Sequence, residues 1–174
     1  NYEERFNIIA SLSDGKDYIK LEKNVYEKFN FIKAKLFGHT ENEIDILNTY
    51  LEGDSLNYAE SILLANQGEL LIALKKINEL ISKNKNNHFL LETKADFLFN
   101  HGYFLEAKEF YKICLVKNIN NVHVKNRLFH LEYDFLKLND FNEVNNFYEK
   151  YEELIFYYSR DINLYHKWLN IFKI

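Results

Sequence analysis

Asn66–Ile81 reads NQGELLIALKKINELI, and Asn100–Leu115 reads NHGYFLEAKEFYKICL. The letters differ but the grammar is shared. Gly68 answers to Gly102, Ala73 to Ala107, Ile77 to Tyr111 and Leu80 to Cys114, every pair 34 residues apart. From Leu70 the apolar residues are Leu70, Ala73, Leu74, Ile77, Leu80 and Ile81, and from Phe104 they are Phe104, Ala107, Tyr111, Cys114 and Leu115. Both sets follow i, i+3, i+4, i+7 spacing, which is one stripe of an α-helix.

Each stretch is the second half of a helical hairpin. Gly68 and Gly102 stand where the preceding helix must end on a residue with positive φ. Ahead of them lie the first helices, SLNYAESILLANQ from Ser55 and HFLLETKADFLFNH from His88. The small residues Ser61 and Ala95 are again 34 apart, where two helices must approach closely. A 34-residue helix-turn-helix period with this punctuation is the tetratricopeptide (TPR) signature. One hairpin cannot bury its own apolar stripe, so hairpins stack. The proline that usually closes such a repeat is replaced by Asn-rich turns, NKNN at Asn84 and NINN at Asn118. Asparagine tolerates left-handed backbone and bonds its own turn, so it can serve there.

The expected architecture is all-α: a TPR-like right-handed α-solenoid of stacked hairpins with a helical lead-in. Residues 1–53 form that lead-in or cap, following a missing upstream domain. Repeats occupy residues 54–174, divided at about 54–86, 87–120 and 121–158, with a final helix over 161–173. In the third hairpin Glu143-Val144 echoes Glu106-Ala107 at 37 residues, a small insertion. Within the lead-in a short helix over 3–12 is broken at Ser13, and a long helix runs from about Asp17 to Phe37. Its apolar side carries Tyr18, Leu21, Val25, Phe29, Ile32 and Leu36, and Ile44, Leu47 and Leu51 mark another helix.

Composition agrees. Proline is absent and there are five glycines in 174 residues, too few breakers for a fold of many short strands. Aromatic residues make up 17% of the chain and can fill the gaps between helices. A net charge of −4 gives no basic footprint for nucleic acid. No stretch reaches the roughly 20 apolar residues of a membrane span, so no direct membrane insertion is expected. The single cysteine, Cys114, excludes an internal disulfide and a cysteine-based zinc site. It occupies a small-residue slot and reads as packing, not as a reactive thiol.

Catalytic patterns are missing. The six histidines have no partner at a recognised ligand spacing, and there is no His-Glu-x-x-His, phosphate-binding loop or Gly-x-Ser-x-Gly elbow. No cofactor and no catalytic residue is expected within the chain. A stacked-hairpin array instead offers a concave face lined by the first helix of each repeat. The candidate partner-binding positions are Tyr58, Ile62 and Asn66 in the first repeat and Glu92, Asp96, Phe99 and Asn100 in the second. Asn66 and Asn100 recur at one slot, which fits a shared binding role and fits helix-ending caps equally well. Glu92 and Asp96 would repel an acidic peptide, which argues against gripping the acidic tail of a chaperone.

The stretch from Phe31 to Leu115 resembles the C-terminal TPR region of bacterial periplasmic zinc metalloproteases of the BepA type. The similarity is carried by FIKAKLFG at Phe31, by Tyr58-Ala59, and by ALKKINELISKNKNNHFLLETKADFLFNHGYFLEAKEFYKICL at Ala73. Upstream, ERFNII at Glu4 is similar to the segment after the protease core. The resemblance implies a non-catalytic protein-interaction domain that docks on an upstream protease domain holding the zinc and recruits substrate or outer-membrane assembly partners in the periplasm. The alternative is a free-standing TPR scaffold with no attached enzyme, in the cytoplasm or secreted by a bacterium. An apolar patch on the lead-in helices would favour the first reading, and a polar cap the second.

Overall fold

The computed structural model describes residues 23–85, 87–157 and 161–172, and these are helical, with no strand among them. The short helix expected over 3–12, the break at Ser13 and the start of the long helix, with Tyr18 and Leu21, lie outside the described residues. The helices are α1 (Lys23–Thr40), α2 (Ile44–Tyr50), α3 (Gly53–Asn66), α4 (Leu70–Lys83), α5 (His88–Asn100), α6 (Phe104–Lys117), α7 (Val122–Tyr133), α8 (Phe141–Tyr151), α9 (Glu153–Tyr157) and α10 (Ile162–Phe172). Packing is sequential: α3 lies on α4, α5 on α6 and α6 on α7, while α1 lies along α3.

The hairpins α3–α4 and α5–α6 share their punctuation. Gly68 and Gly102 have φ of 90° and 84°, a backbone only glycine adopts without strain. Each glycine closes the same helix terminus. Gly68 N donates to Ala65 O and Glu69 N to Leu64 O, and Gly102 N donates to Phe99 O and Tyr103 N to Leu98 O. These paired bonds satisfy carbonyls that the helix end would otherwise leave open. Ser61, Ala95, Ala73, Ala107, Ile77, Tyr111, Leu80 and Cys114 are all buried, so the repeated slots are the contact surface of the hairpins.

The asparagine turns bond their own backbone, as the sequence leads one to expect, and do so as helix caps. No non-glycine residue among the described ones has positive φ. Asn87 and Asn121 are instead helix N-caps: the Asn87 side chain accepts from Phe89 N and the Asn121 side chain from Val124 N. Each turn is closed by a matched backbone bond, Asn87 N to Asn84 O at 2.9 Å and Asn121 N to Asn118 O at 3.1 Å. At both turns an asparagine cap stands where the usual proline is missing.

The third hairpin is wider. The position 34 residues after Ala95 is Phe129, whose ring lies 5.1 Å from that of Phe147 and 5.6 Å from that of Tyr151. A phenyl group in the small slot holds α8 away from α7. The link over 134–140 is correspondingly longer than the three-residue turns at 67–69 and 101–103. Trp168 of α10 closes this end, 5.2 Å from Phe129.

The lead-in helix is turned the other way from its expected orientation. Val25, Phe29, Ile32 and Leu36 face outward, with Ile32 69% exposed. Ala34 and Gly38 are buried, with Phe31 and Phe37 packed partly against the same core. Distance decides between the two faces. A Cβ on Gly38 would meet Ala59 O at 2.7 Å and Ile62 Cβ at 2.8 Å, so only the small-residue face lets α1 lie this close to α3. The contact buries Tyr58 and Ile62 beneath α1.

Gly38→Ala tests this contact. In a free helix the change is favourable by about 1 kcal/mol, but overpacking costs roughly 1–3 kcal/mol. The expected result of urea unfolding is a net loss of stability. A more stable variant would show that α1 does not lie this close to α3.

Candidate functional site

The first turns of α5 put Glu92, Thr93 and Asp96 on one side of the helix, and Asn100 follows Asp96 by one further turn. This side faces α1 and α3, and the three helices enclose a cavity of about 270 Å³. Lys35 and His39 line it from α1, Ala65 and Asn66 from α3, and Thr93, Asp96, Phe97 and Asn100 from α5, with Gly68 and His101 at the turns. Three of the seven expected groove residues, Asn66, Asp96 and Asn100, are therefore brought together.

The other four are placed elsewhere. Tyr58 and Ile62 belong to the core under α1, because that helix covers the face of α3 that the first-repeat positions would otherwise present. The Tyr58 hydroxyl lies 2.6 Å from Thr93 Oγ1, which itself donates to Phe89 O, so Tyr58 is the donor. Glu92 is only 6% exposed. Phe99 is half-buried beneath the Arg127 guanidinium, 4.6 Å from its ring centre.

The two acids are held in one ion-pair network. Asp96 Oδ1 accepts from the Tyr111 hydroxyl at 2.5 Å and lies 3.2 Å from His123 Nε2 and 3.7 Å from Arg127 Nε. Glu92 accepts from Lys35 Nζ at 3.3 Å and from Asn121 Nδ2 at 2.7 Å. Burial pushes the Asp96 carboxyl up, but the hydrogen bonds from His123 and Tyr111 and the charges of His123 and Arg127 outweigh it, so Asp96 sits below the usual carboxylate range. Burial and the neighbouring Asp96 carboxylate drive the Tyr111 hydroxyl up, keeping it a donor. Burial, with Lys35, lowers His39, so this imidazole is neutral at pH 7. The Lys35, His123 and Arg127 side chains around the two acids weaken the argument that an acidic ligand would meet bare like charge.

Glu92, Asp96 and His123 bring their ligand atoms within 4.8 Å of one another, a convergence that linear spacing hid because His123 comes from α7. Its atoms are engaged already, Oδ1 by Tyr111 and His123 and both Glu92 oxygens by Lys35 and Asn121. Lys35 and Arg127 supply the balancing positive charge. The cluster ties α1, α5, α6 and α7 together and offers poor terms to a metal cation.

At the mouth of the cavity the two matched asparagines differ. Asn66 Nδ2 donates to Gly38 O at 3.3 Å, tying α3 to α1. Asn100 is exposed, and its amide takes part in none of the hydrogen bonds among the described residues. His101 Nδ1 lies 2.8 Å from Phe97 O, which makes Nδ1 the protonated nitrogen of the neutral ring and leaves Nε2 an acceptor. Amide, imidazole, ammonium and carboxylate groups thus line one polar recess. Cys114 is buried with its thiol pushed up to about 12 by burial and by the nearby Glu92 and Asp96 charges, and Sγ lies 3.8 Å from His88 O. It packs in the core of α5 to α10. Lys35, His39, Thr93 and His101 were not legible as site residues, because nothing local marks them.

No family profile matches the chain, and no solved structure does. Over 116 residues it is 26% identical to the uncharacterized protein R348 of Acanthamoeba polyphaga mimivirus. That match covers 66% of this chain and 16% of the viral protein, so the chain spans about a sixth of that relative. Among the described residues no helix is long and apolar enough to cross a membrane.

Asp96 gives the site a pH signature. A carboxyl held below its unfolded value of 3.8 stabilises the fold fully above that value and loses the contribution as pH falls through its folded value. Asp96→Asn should cost roughly 1–3 kcal/mol at pH 7, and the difference from the parent should close toward pH 3. Urea unfolding at a series of pH values reads this. A constant difference down to pH 3 would mean that the charge on Asp96 is not what holds the network.

Proposed function

We propose that the chain is a non-catalytic, protein-binding module: a TPR-like right-handed α-solenoid that takes an extended segment of a partner protein across the recess between α1, α3 and α5. The observation that carries this reading is the return of one surface position, Asn66 and Asn100, to the mouth of a polar cavity between successive hairpins. Side-chain amides donate and accept at once, which suits them to the alternating groups of an extended backbone. The unengaged amide of Asn100 and the accepting nitrogen of His101 are positioned to do the same work. A cavity this small suits one side chain or a few peptide units, and its mixed polar lining suits a peptide better than an apolar cofactor.

A second reading concerns attachment. Val25, Phe29, Ile32 and Leu36 make an exposed apolar stripe on α1, the kind of surface that packs against another domain. It supports the proposal that the chain is one part of a larger protein. The resemblance to periplasmic BepA-type proteases supplies a specific form of it: an upstream zinc metalloprotease domain on the lead-in side, with the hairpins recruiting substrate or outer-membrane assembly partners. The free-standing scaffold is the competing form.

Peptides selected on the immobilised chain from a random display library test the groove. Asn66→Ala with Asn100→Ala should leave the helical circular dichroism unchanged and weaken the selected peptides by about 5- to 30-fold, the effect of one or two lost hydrogen bonds. Unchanged affinity would remove the recess as the binding site. Loss of helicity would make the asparagines structural.

A further inference from the structure

The recess lies where three helices end. His39 is in the last turn of α1, Ala65 and Asn66 close α3, and Phe97 and Asn100 stand in the last turn of α5, and all five line the same cavity. The open carbonyls of a helix C-terminus carry roughly half a unit of negative charge and favour a cation within that turn. The last turns of α3 and α5 hold no basic residue. That of α1 holds His39, whose imidazole is neutral at pH 7. The positive charge that these helix ends favour is not supplied by their own last turns.

The acid in the lining adds to this. Tyr111, His123 and Arg127 all approach Asp96 through Oδ1. Its Oδ2 takes part in no hydrogen bond among the described residues and is not sealed from solvent, so it is the oxygen left to the cavity. Asn66 spends its Nδ2 on Gly38 O, which leaves Oδ1 to accept. His101 Nε2 and the unengaged Asn100 amide accept beside it. The ammonium in the lining, Lys35, lies 3.3 Å from Glu92, an acid outside the lining. His123 and Arg127, which face Asp96 from α7, lie outside it too.

We propose that the recess takes an arginine side chain of the partner segment, its charge against Asp96 Oδ2 and the three helix ends. This rests on the recess being the peptide site. The acceptors Asp96 Oδ2, Asn66 Oδ1, Asn100 Oδ1 and His101 Nε2 outnumber the three N–H groups of a lysine, whereas a guanidinium carries five in a fixed fork. An acidic side chain would face Asp96 and three negative helix ends, and an apolar one would leave the acceptors unpaired.

The probes are N-acetylated, C-amidated peptides Gly-Gly-Ser-X-Ser-Gly-Gly, with arginine, its uncharged isostere citrulline, or glutamate at X. Each is titrated into the isotope-labelled full chain and followed by NMR at the side-chain amides of Asn66 and Asn100. The arginine peptide should shift both to saturation, and the other two should bind about tenfold or more weakly. Asn100→Lys puts a resident ammonium at the end of α5 from an exposed position. Followed at Asn66, it should weaken the arginine peptide about tenfold while helical circular dichroism stays unchanged. Equal binding of the citrulline or glutamate peptide overturns the proposal, as does parent-like binding by Asn100→Lys, and either leaves the recess standing as a peptide site. Absence of any shift at Asn66 and Asn100 also overturns it. The display-selected peptides then judge the recess separately, since their loss in the Asn66/Asn100 double variant needs no arginine.

Discussion

Leu90 and Phe97 of α5 enter the core that α1 to α4 build, while Leu91, Ala95 and Leu98 of the same helix enter the core of α6 to α10. One helix of 13 residues is thus packed on two different sides. Leu74 and Ile81 of α4 touch both cores as well. Fixing α5 fixes where the neighbours lie, and small residues set how close they come. Ala95 of α5 and Ala107 of α6 are fully buried in one core, and Gly38 and Ala34 are buried where α1 meets α3. Where the small slot becomes Phe129, the hairpin opens and rings fill the space. Interiors are packed densely enough that a single methyl or phenyl group decides such spacings.

That placement also makes the polar recess possible. The side of α5 left between its two apolar sides carries Glu92, Thr93, Asp96 and Asn100, and it looks toward α1 and α3. Two carboxylates this close to the core would be costly alone. They are tolerated because α1, α6 and α7 each send a partner: Lys35, Tyr111, and the group of Asn121, His123 and Arg127. The network therefore couples the register of three helices to the charge state of two acids. Asn100 and His101 at the mouth of the recess lie outside this network.

Much of this was legible in the sequence wherever the repeat writes it twice. Gly68 and Gly102, Ala73 and Ala107, and Ile77 and Tyr111 each carry the same duty at the same interval, so one reading checks the other. Legibility failed where a single tertiary contact overruled a local pattern. The stripe Val25, Phe29, Ile32 and Leu36 has good helical spacing, yet α1 buries Ala34 and Gly38, because Gly38 leaves room for the close approach of Ala59. The burial of Tyr58 and Ile62 follows from that contact and could not be read from α3 alone. Asp96 and His123 meet across 27 residues of chain, and Lys35 reaches Glu92 across 57. No spacing rule reaches that far. The asparagine turns bond their own backbone as the sequence implies; what it left open is that the bond is a cap on the next helix, made by Asn87 and Asn121.

Amide hydrogen exchange on the whole chain addresses the role of α5 most directly. Protection in native proteins follows the cooperative units that open together. A helix anchored in both cores can open only when both are disrupted, so the amides of residues 92–98 should be the slowest in the chain, slower than those of α8 and α9. If α5 instead exchanges as fast as α8, or opens with one core while the other stays protected, then it does not join the two halves, and the recess on it is not held by both.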